Sequence, residues 1–396
     1  MTGNIYYIQS PNLNSEEIRQ ANMGLLKQLS EQAGVELKVG ELEDLQPDGF
    51  NMVFVGGGGC ENEFKIRCTQ MPQPIILLTC GNNNSLAASM EILSYLRQRD
   101  IPSEIIHGSM EDMAQRIQTL SRVFAAKQKV KHLRLGRLGR PSDWLISSDV
   151  DAVQSELTNG IQILDIPMLE LMEEIKKHTY EPNQYTQMVL DAAFSRKDVD
   201  LALDIYGGMK RICQKYKLDG ITVRCFDLLQ PVKNTGCVAL AILNAEGIYA
   251  GCEGDTPALI SMAVLGELTG QPVFMCNPSR IESRKGEIVL AHCTLPLNMP
   301  TSFQLMTHYE SGLGVAFRGV IPTGDVTVFK CSGLLDRYFA SKGQLIENLD
   351  EATLCRTQIR IKMDGLDYFT TRSIGNHHCV ICGDYVDLVD EFFKYL

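Results

Sequence analysis

The sequence predicts an α/β fold in which two doubly wound α/β domains are followed by a β-rich, barrel-like C-terminal domain. Up to about residue 286, short apolar runs typical of strands alternate with helical patterns, which indicates βαβ units on parallel sheets. From about Glu287 onward, β-branched and aromatic runs separated by Gly turns replace the long helices, which favours a small barrel. The length of 396 residues is enough for two or three domains of ordinary size.

The first predicted domain, residues 1–132, has the alternating pattern of a flavodoxin-like sheet. Its predicted elements are strands at residues 5–8, 52–55 and 75–79 and helices at about residues 15–33 and 85–99. Residues 56–59 follow a strand end, where open α/β sheets bind ligands, but the order GGGGCE is not that of a phosphate loop. We therefore interpret this segment as a ligand-side turn, with Glu61 as a candidate substrate contact.

The second and third predicted domains, residues 133–286 and 287–396, contain the residues of greatest chemical interest. In the second domain the pattern predicts strands at residues 220–225 and 248–252, and helices at residues 167–178, 188–217, 234–243 and 256–268. In the third domain it predicts strands at residues 288–292, 314–320, 326–331, 358–362 and 379–381, and a final helix at residues 385–395.

The charge balance argues against polyanionic partners. The chain has 48 acidic and 37 basic residues and a net charge of −11, so nucleic acids and anionic membrane surfaces would on average repel it. The basic stretch at residues 127–140 lacks interleaved aromatic residues for base stacking and is interpreted as the solvated start of a strand. We therefore expect no nucleic-acid partner and no membrane partner.

The cysteines indicate a reducing compartment. Their number, 13, is odd, and they are scattered along predicted strands and helices, which is typical of free thiols. Residues 1–10 show no secretion signal, and the apolar stretches are shorter than the about 20 residues that cross a bilayer. We therefore expect a cytoplasmic protein.

Carboxylate, amide and imidazole side chains gather where predicted strands end. These candidates are Glu253, Asp255, Asn277, His292, His377 and His378. Each has a structural interpretation when taken alone, because an acid before a helix can cap it and a histidine can be part of a core. Together, a carboxylate, oxygen donors and imidazoles suit a borderline divalent ion such as Mn²⁺.

The segment CEGDTPALISMAVLGELTGQPVFMCNPSRIESRKGEIVLAHCTLP resembles the central block of the L-fucose isomerase and L-arabinose isomerase superfamily, particularly its shorter fucose-isomerase-related proteins. The segment GNHHCVICGD is similar to the C-terminal histidine motif of that superfamily. TVRCF and GRLGRPSDWLISSD match more loosely, and PIILLTCGNNNSLAASMEIL extends the likeness into the N-terminal domain.

The resemblance implies roles for individual residues. The metal-binding and acid/base glutamate falls on Glu253, and the second metal-binding acid falls on Asn277, or on Cys276 if the alignment slips by one. The strand-end histidine of the arabinose members falls on His292, and the C-terminal metal histidine falls on His377, with His378 as the neighbouring candidate. The implied metal is Mn²⁺, with Mg²⁺ as the alternative.

The resemblance further implies a metal-dependent aldose/ketose isomerase that moves a proton between C1 and C2 of a monosaccharide through an enediol. An amide cannot accept and return a proton near neutral pH, so Asn277 is a departure from the two-carboxylate pattern. Glu253 would then act alone, or with help from Asp255, Glu282 or a metal-bound water. A homo-oligomer, trimeric or hexameric, is also implied.

Two other functions remain open from the sequence. One is a catalytically silent sugar- or metal-binding protein that has lost the second carboxylate. The other is an epimerase or lyase on a modified sugar, for which a single base suffices. Position 277 is the feature that separates these functions from the isomerase.

Three further features have weaker interpretations. Trp144, the single tryptophan, is a candidate for stacking on a sugar face, although a tryptophan beside a Pro turn also packs structurally. His378, next to His377, is a candidate substrate contact. Cys379 and Cys382 have CxxC spacing, but no second pair at zinc spacing accompanies them, so we interpret them as buried thiols.

Overall fold

A computed structural model of the chain describes residues 1–10 and 16–396. The described chain divides into two compact units, Met1–Gln128 with Asp390–Leu396, and Lys129–Val389. Residue 15, where the sequence analysis begins the first helix, lies outside the described residues.

The first unit is built on a five-stranded parallel sheet with strand order β2-β1-β3-β4-β5. Its strands are β1 (Gly3–Ile8), β2 (Leu37–Gly40), β3 (Phe50–Val55), β4 (Ile75–Thr79) and β5 (Ser103–Ile106). Its helices are α1 (Glu16–Ala33), α2 (Glu61–Arg67), α3 (Ser85–Arg97) and α4 (Met110–Lys131). Every residue of the central strands β3 and β4 is buried, as expected for a parallel sheet covered on both faces.

The second unit begins with a four-stranded parallel sheet of order β7-β6-β8-β9. Its strands are β6 (Arg134–Leu138), β7 (Gln162–Ile166), β8 (Gly220–Val223) and β9 (Tyr249–Cys252). The accompanying helices are α5 (Ala152–Asn159), α6 (Met168–Ile175), α7 (Gln184–Asp191), α8 (Arg196–Tyr216), α9 (Cys237–Ala245) and α10 (Thr256–Thr269).

One predicted helix, residues 188–217, is wrong as a single element because the structure has two helices, α7 and α8, in this region. The Ser195 side chain accepts a hydrogen bond from the Asp198 N–H and so caps the start of α8. Helical periodicity on both sides of a short break conceals such a cap.

The remainder of the second unit is a closed antiparallel barrel of order β10-β11-β16-β15-β14-β17. Its strands are β10 (Phe274–Glu282), β11 (Glu287–His292), β14 (Gly324–Cys331), β15 (Tyr338–Asn348), β16 (Thr357–Met363) and β17 (His378–Cys382). A separate hairpin-like sheet pairs β12 (Ser302–Met306) with β13 (Ala316–Val320), and α11 (Asp367–Thr371) follows β16. The last helix, α12 (Val386–Lys394), begins in the second unit, and its residues from Asp390 onward belong to the first.

The fold class predicted from the sequence is therefore confirmed: parallel-sheet α/β architecture precedes a closed six-stranded barrel. One assignment differs. Asn277 lies on β10, which pairs with β11 and β17, so it belongs to the barrel rather than to the middle α/β domain. A short apolar strand has the same sequence pattern in either architecture, which explains the difference.

Helix α10 connects the parallel sheet to the barrel inside the second unit. Nearly all of its residues are buried, and it contacts β8 and β9 on one side and β10, β14 and β17 on the other. Its N-cap is Asp255, whose side chain accepts a hydrogen bond from the Ala258 N–H. The polar residues at the start of this helix are therefore enclosed by both layers.

All 13 cysteines are free thiols, as predicted. Among the described residues, no helix combines the length and the apolar character needed to span a membrane.

The turn before α10 tolerates no side chain at Gly254. Gly254 has φ +71°, and a Cβ built there would lie 2.6 Å from the carbonyl oxygen of Arg140. Gly270, at the other end of α10, has φ +69° but no neighbour within 4 Å of such a Cβ. Gly270→Ala therefore isolates the conformational cost of a positive φ from the cost of a steric clash.

We expect Gly270→Ala to lower the free energy of unfolding by about 1–2 kcal/mol through its φ alone. Gly254→Ala should lower the free energy of unfolding by about 1–3 kcal/mol more than Gly270→Ala does, because its Cβ overlaps backbone that has little freedom to move. Urea denaturation of both variants measures the difference. Equal costs would show that the loop containing Arg140 moves aside freely.

Candidate active site

The site starts at a sharp turn after β9. Glu253 follows the strand with φ +60°, a left-handed conformation that residues with a side chain rarely adopt, and Gly254 follows in the same region. The Ser142 N–H donates to the Glu253 carbonyl oxygen at 2.9 Å, and the Gly254 N–H donates to the Val223 carbonyl oxygen at 3.0 Å. Strained backbone held by its surroundings is common where a side chain is positioned for function.

The Glu253 carboxylate is held from two sides. Trp144 Nε1 donates a hydrogen bond to Oε2 at 2.6 Å, and His377 Nε2 lies 3.8 Å from Oε1. Burial raises the pKa of Glu253, but the interactions with His377, His292 and Trp144 outweigh burial and lower the pKa to about 2. Glu253 is therefore an anion at neutral pH.

The His377 ring is fully buried and fixed by Asp255. Its Nδ1 is 2.8 Å from Asp255 Oδ2, and among the described residues its Nε2 has no hydrogen-bond partner. Burial lowers the pKa of His377, but the two carboxylates of Asp255 and Glu253 outweigh this and raise it to about 9. A metal bound at Nε2 would therefore have to displace a proton.

His292 closes β11 and faces the same point. Its Nδ1 is 2.8 Å from Thr294 Oγ1, and its ring centroid is 5.3 Å from that of His377. Burial, with the nearby His377 charge, lowers the pKa of His292 to about 3, so the ring is neutral. A neutral imidazole with one nitrogen fixed by a hydrogen bond is the form that binds metals.

Ligand atoms from Glu253, His292 and His377 lie within 4.8 Å of one another. One carboxylate and two imidazoles are a common ligand set for divalent transition metals. Asp255 binds Nδ1 of His377, and the buried Nε2 on the other side has no hydrogen bond to the described part of the chain, which is the arrangement of a carboxylate–histidine–metal group. The residues therefore fit a divalent cation.

Asp255 also faces a buried cation from the barrel. The Lys330 side chain is 1% exposed, and its Nζ is 3.9 Å from Asp255 Oδ1. Burial raises the pKa of Asp255, while the Lys330 charge, the His377 contact and the Ala258 N–H outweigh burial and lower it below its usual range. The ionised Asp255 carboxylate therefore interacts with the N-terminus of α10, the His377 ring and the Lys330 ammonium at the same time.

A small cavity of about 30 Å³ opens beside this cluster. Glu253, Asn277 and His292 line it, and His377 adjoins it through its contacts with Glu253 and His292. Asn277 Oδ1 accepts a hydrogen bond from Asn376 Nδ2 at 3.1 Å. Three of the four predicted metal ligands thus converge, and the fourth shares their cavity.

The chain is similar to the sulfoquinovose isomerase of Clostridium sp. (strain MSTE9), with 26% identity over 193 aligned residues. The aligned region is 45% of this chain and 43% of that protein, so it spans less than half of the relative's length. No family model matches the sequence. The sequence thus has a distant sugar-isomerase relative.

Other predicted site residues lie outside the cavity wall. His378 is buried between Tyr368 and the Asn376 carbonyl, which occupy its two ring nitrogens. Asp255 lies behind His377, and Glu282 forms ion pairs on the barrel surface with Lys285 and Arg360. 

The two remaining predicted site residues, Trp144 and Glu61, are not part of the cavity lining. Trp144 is 54% exposed and contacts Phe226 edge-on at 4.9 Å while its Nε1–H binds Glu253. Glu61 begins α2 in the first unit.

The cavity also contains residues that the sequence analysis missed, chiefly Glu310 and His308. Both belong to the segment HYESGLG between β12 and β13. A histidine and a glutamate two positions apart before a glycine were the available signal. The sequence patterns assign no role to residues 308–313, because nothing local shows that they fold back to the cavity.

We expect Asp255→Asn to lower the free energy of unfolding by about 3–5 kcal/mol, because it leaves Lys330 and His377 without their buried carboxylate. Asparagine still caps a helix, so loss of the cap is not the cause. The matched control is Asp151→Asn, since Asp151 caps α5 in the same way but is exposed. Asp151→Asn should lower the free energy of unfolding by no more than about 0.5 kcal/mol.

Urea denaturation measures both variants. Adding Lys330→Met to Asp255→Asn should recover part of the loss, because the buried cation is then removed as well. Equal, small costs for the two Asp→Asn variants would contradict the role given to Asp255.

Proposed function

We propose that the chain is a metal-dependent sugar isomerase that moves a proton between C1 and C2 of an open-chain aldose. The observation that carries the proposal is the convergence of Glu253, His292 and His377 at one side of a cavity, with a buried His377 Nε2 that lacks a hydrogen-bond partner among the described residues. The distant likeness to a sulfoquinovose isomerase supports the same reaction class.

Glu253, His292 and His377 are the proposed metal ligands, and the amide oxygen of Asn277, which lines the same cavity, is proposed as a further ligand. Mn²⁺ is the cation proposed, with Mg²⁺ as the alternative. When bound, such a cation supplies Lewis-acid polarisation of the sugar's oxygens. The residues of the chain orient this group: Asp255 fixes the His377 ring, Thr294 fixes the His292 ring and Trp144 fixes the Glu253 carboxylate.

Glu310 is the proposed second proton-transfer group, in the role that Asn277 cannot fill. Glu310 is an exposed residue that lines the cavity, where desolvation raises its pKa and the negative charge of Glu253 raises it further. A carboxyl whose pKa is shifted toward neutrality exchanges protons more readily than one held fully ionised. Glu310 would take the proton from C2 and return it to C1, while the proton of the O2 hydroxyl is transferred to O1 and Glu253 stays ionised.

The favoured substrate is an uncharged aldose. The relative acts on a sulfonated sugar by its name, but no Lys or Arg is among the described residues that line this cavity. A sulfonate placed there would lack a cationic partner from these residues. We also propose that the chain forms a homo-oligomer, trimeric or hexameric, and that it is cytoplasmic.

The Asn277 side chain supports a second candidate function, that of a catalytically silent sugar- or metal-binding protein. The Asn277 amide is hydrogen-bonded to Asn376 and cannot transfer protons. An epimerase or a lyase, which needs one base, is the related enzymatic alternative.

Proton exchange in D₂O separates these functions. The Mn²⁺-loaded protein is incubated with a panel of aldoses and sulfoquinovose, and NMR follows deuterium at C1 and C2 and the appearance of the ketose. We expect deuterium at these positions together with ketose from at least one uncharged aldose. Substrate binding without deuterium exchange would indicate a catalytically silent binding protein. Exchange without formation of the ketose would indicate an epimerase or a lyase.

Glu310→Gln should lower the exchange rate by about 10²- to 10⁴-fold, because it removes a positioned acid/base group while preserving shape. Glu282→Gln is the matched control, since Glu282 forms ion pairs outside the cavity, and it should keep the rate of the unmodified protein. Mn²⁺ affinity should persist in both variants. A Glu310→Gln protein with full activity would remove Glu310 from the proposal.

A further inference from the structure

The same cavity contains a cluster of thiols that the proposed isomerase reaction does not use. The Sγ atoms of Cys237 and Cys293 are 3.0 Å apart, and both side chains are buried. Ligand atoms of Cys237, Cys293 and His308 all lie within 4.8 Å of one another. The Cys355 thiol lines the same cavity.

We propose that Cys237, Cys293 and His308 form a second metal site, for a thiophilic divalent cation such as Zn²⁺, with Cys355 as the fourth ligand. This site goes beyond the proposed sugar isomerase function and does not depend on it. Three cysteines and one histidine are a common ligand set of four-coordinate zinc sites.

The two clusters differ in chemical softness. Glu253, His292 and His377 offer one oxygen and two nitrogen ligands, whereas the second cluster offers sulfur and one nitrogen. Thiolates select zinc and similar cations, whereas a carboxylate with oxygen co-ligands suits Mn²⁺ or Mg²⁺. One cavity can therefore hold two different cations at two places.

The surroundings of His308 and Cys237 favour metal binding. His308 Nδ1 lies 3.0 Å from Ser311 Oγ, which fixes the ring and leaves Nε2 to bind a metal. Cys237 is the first residue of α9, where backbone N–H groups and the helix dipole favour a thiolate. His308 is buried, so its ring is held in place next to the thiols.

A second thiol pair in the cavity shows why the imidazole matters. Cys225 and Cys252 also have Sγ atoms 3.0 Å apart, but no histidine completes their group among the described residues. Two thiols alone provide too few ligands for a closed zinc site. This pair therefore serves as a matched control within the same cavity.

Cobalt reports thiolate ligation directly. We propose to titrate the anaerobically reduced full-length protein with Co²⁺ and record the thiolate-to-cobalt charge-transfer absorption in the near ultraviolet. We expect this band at one equivalent of tightly bound Co²⁺, and Zn²⁺ should abolish it. The band should be lost in the Cys237→Ser/Cys293→Ser variant and retained in Cys225→Ser.

Glu253→Gln should also retain the band, since Glu253 belongs to the other cluster, so failure of one proposal is distinguishable from failure of the other. Ser311→Ala tests the same site without touching a ligand, and it should weaken Co²⁺ binding by about 10- to 100-fold. This variant covers the case in which the double cysteine variant does not fold.

Three results would overturn the second site. The first is the absence of a thiolate band in the reduced protein at saturating Co²⁺. The second is a band that disappears in Cys225→Ser but survives in the double variant, which would assign the metal to the other pair. A Cys237–Cys293 disulfide in the air-exposed protein, found by mass spectrometry together with the absence of the band, would assign these thiols to redox chemistry instead.

Discussion

The hydrogen bond between Asp255 and His377 holds the second unit's functional region together. It joins the N-terminus of α10 to the residue that precedes β17, at 2.8 Å between two side chains with no exposed surface. Buried charged groups are tolerated only when partners satisfy them, and Asp255 has three: the His377 ring, the Ala258 N–H and, at 3.9 Å, Lys330. The ring nitrogen opposite Asp255 is thereby fixed beside Glu253, so the geometry of the site is set before any ligand binds.

The chemistry of the cavity is asymmetric because its two glutamates have different surroundings. Glu253 is enclosed by cationic and hydrogen-bonding partners that keep it ionised, whereas Glu310 is an exposed residue of the cavity lining with a raised pKa. Pairs of carboxyl groups whose pKa values are pushed apart commonly divide the roles of charge stabiliser and proton carrier. The Asn277 amide oxygen accepts a hydrogen bond from Asn376 Nδ2, and the amide offers no group that transfers protons near neutral pH. The nearby thiols add a ligand type that neither glutamate provides.

Much of the fold and part of the site could be predicted from the sequence. Alternation of strand and helix patterns predicts the parallel sheets, and β-rich runs between glycines predict the barrel. Glu253 and His292 could be found because they end apolar strands, where side chains reach a crevice. Glu310 and His308 could not be found from the sequence. Their position depends on how the segment between β12 and β13 folds back to the cavity, and no local sequence pattern encodes this. The break before Ser195 was missed because helical periodicity continues on both sides of it.

The central claim is that Glu253, His292 and His377 bind one divalent cation. Anomalous diffraction from crystals of the full chain grown with Mn²⁺, collected above the manganese absorption edge, tests it most directly. We expect an anomalous peak in contact with the Glu253 carboxylate and with one ring nitrogen each of His292 and His377, while Nδ1 of His377 stays on Asp255. Mn²⁺-saturated crystals without a peak at these three side chains would contradict the account.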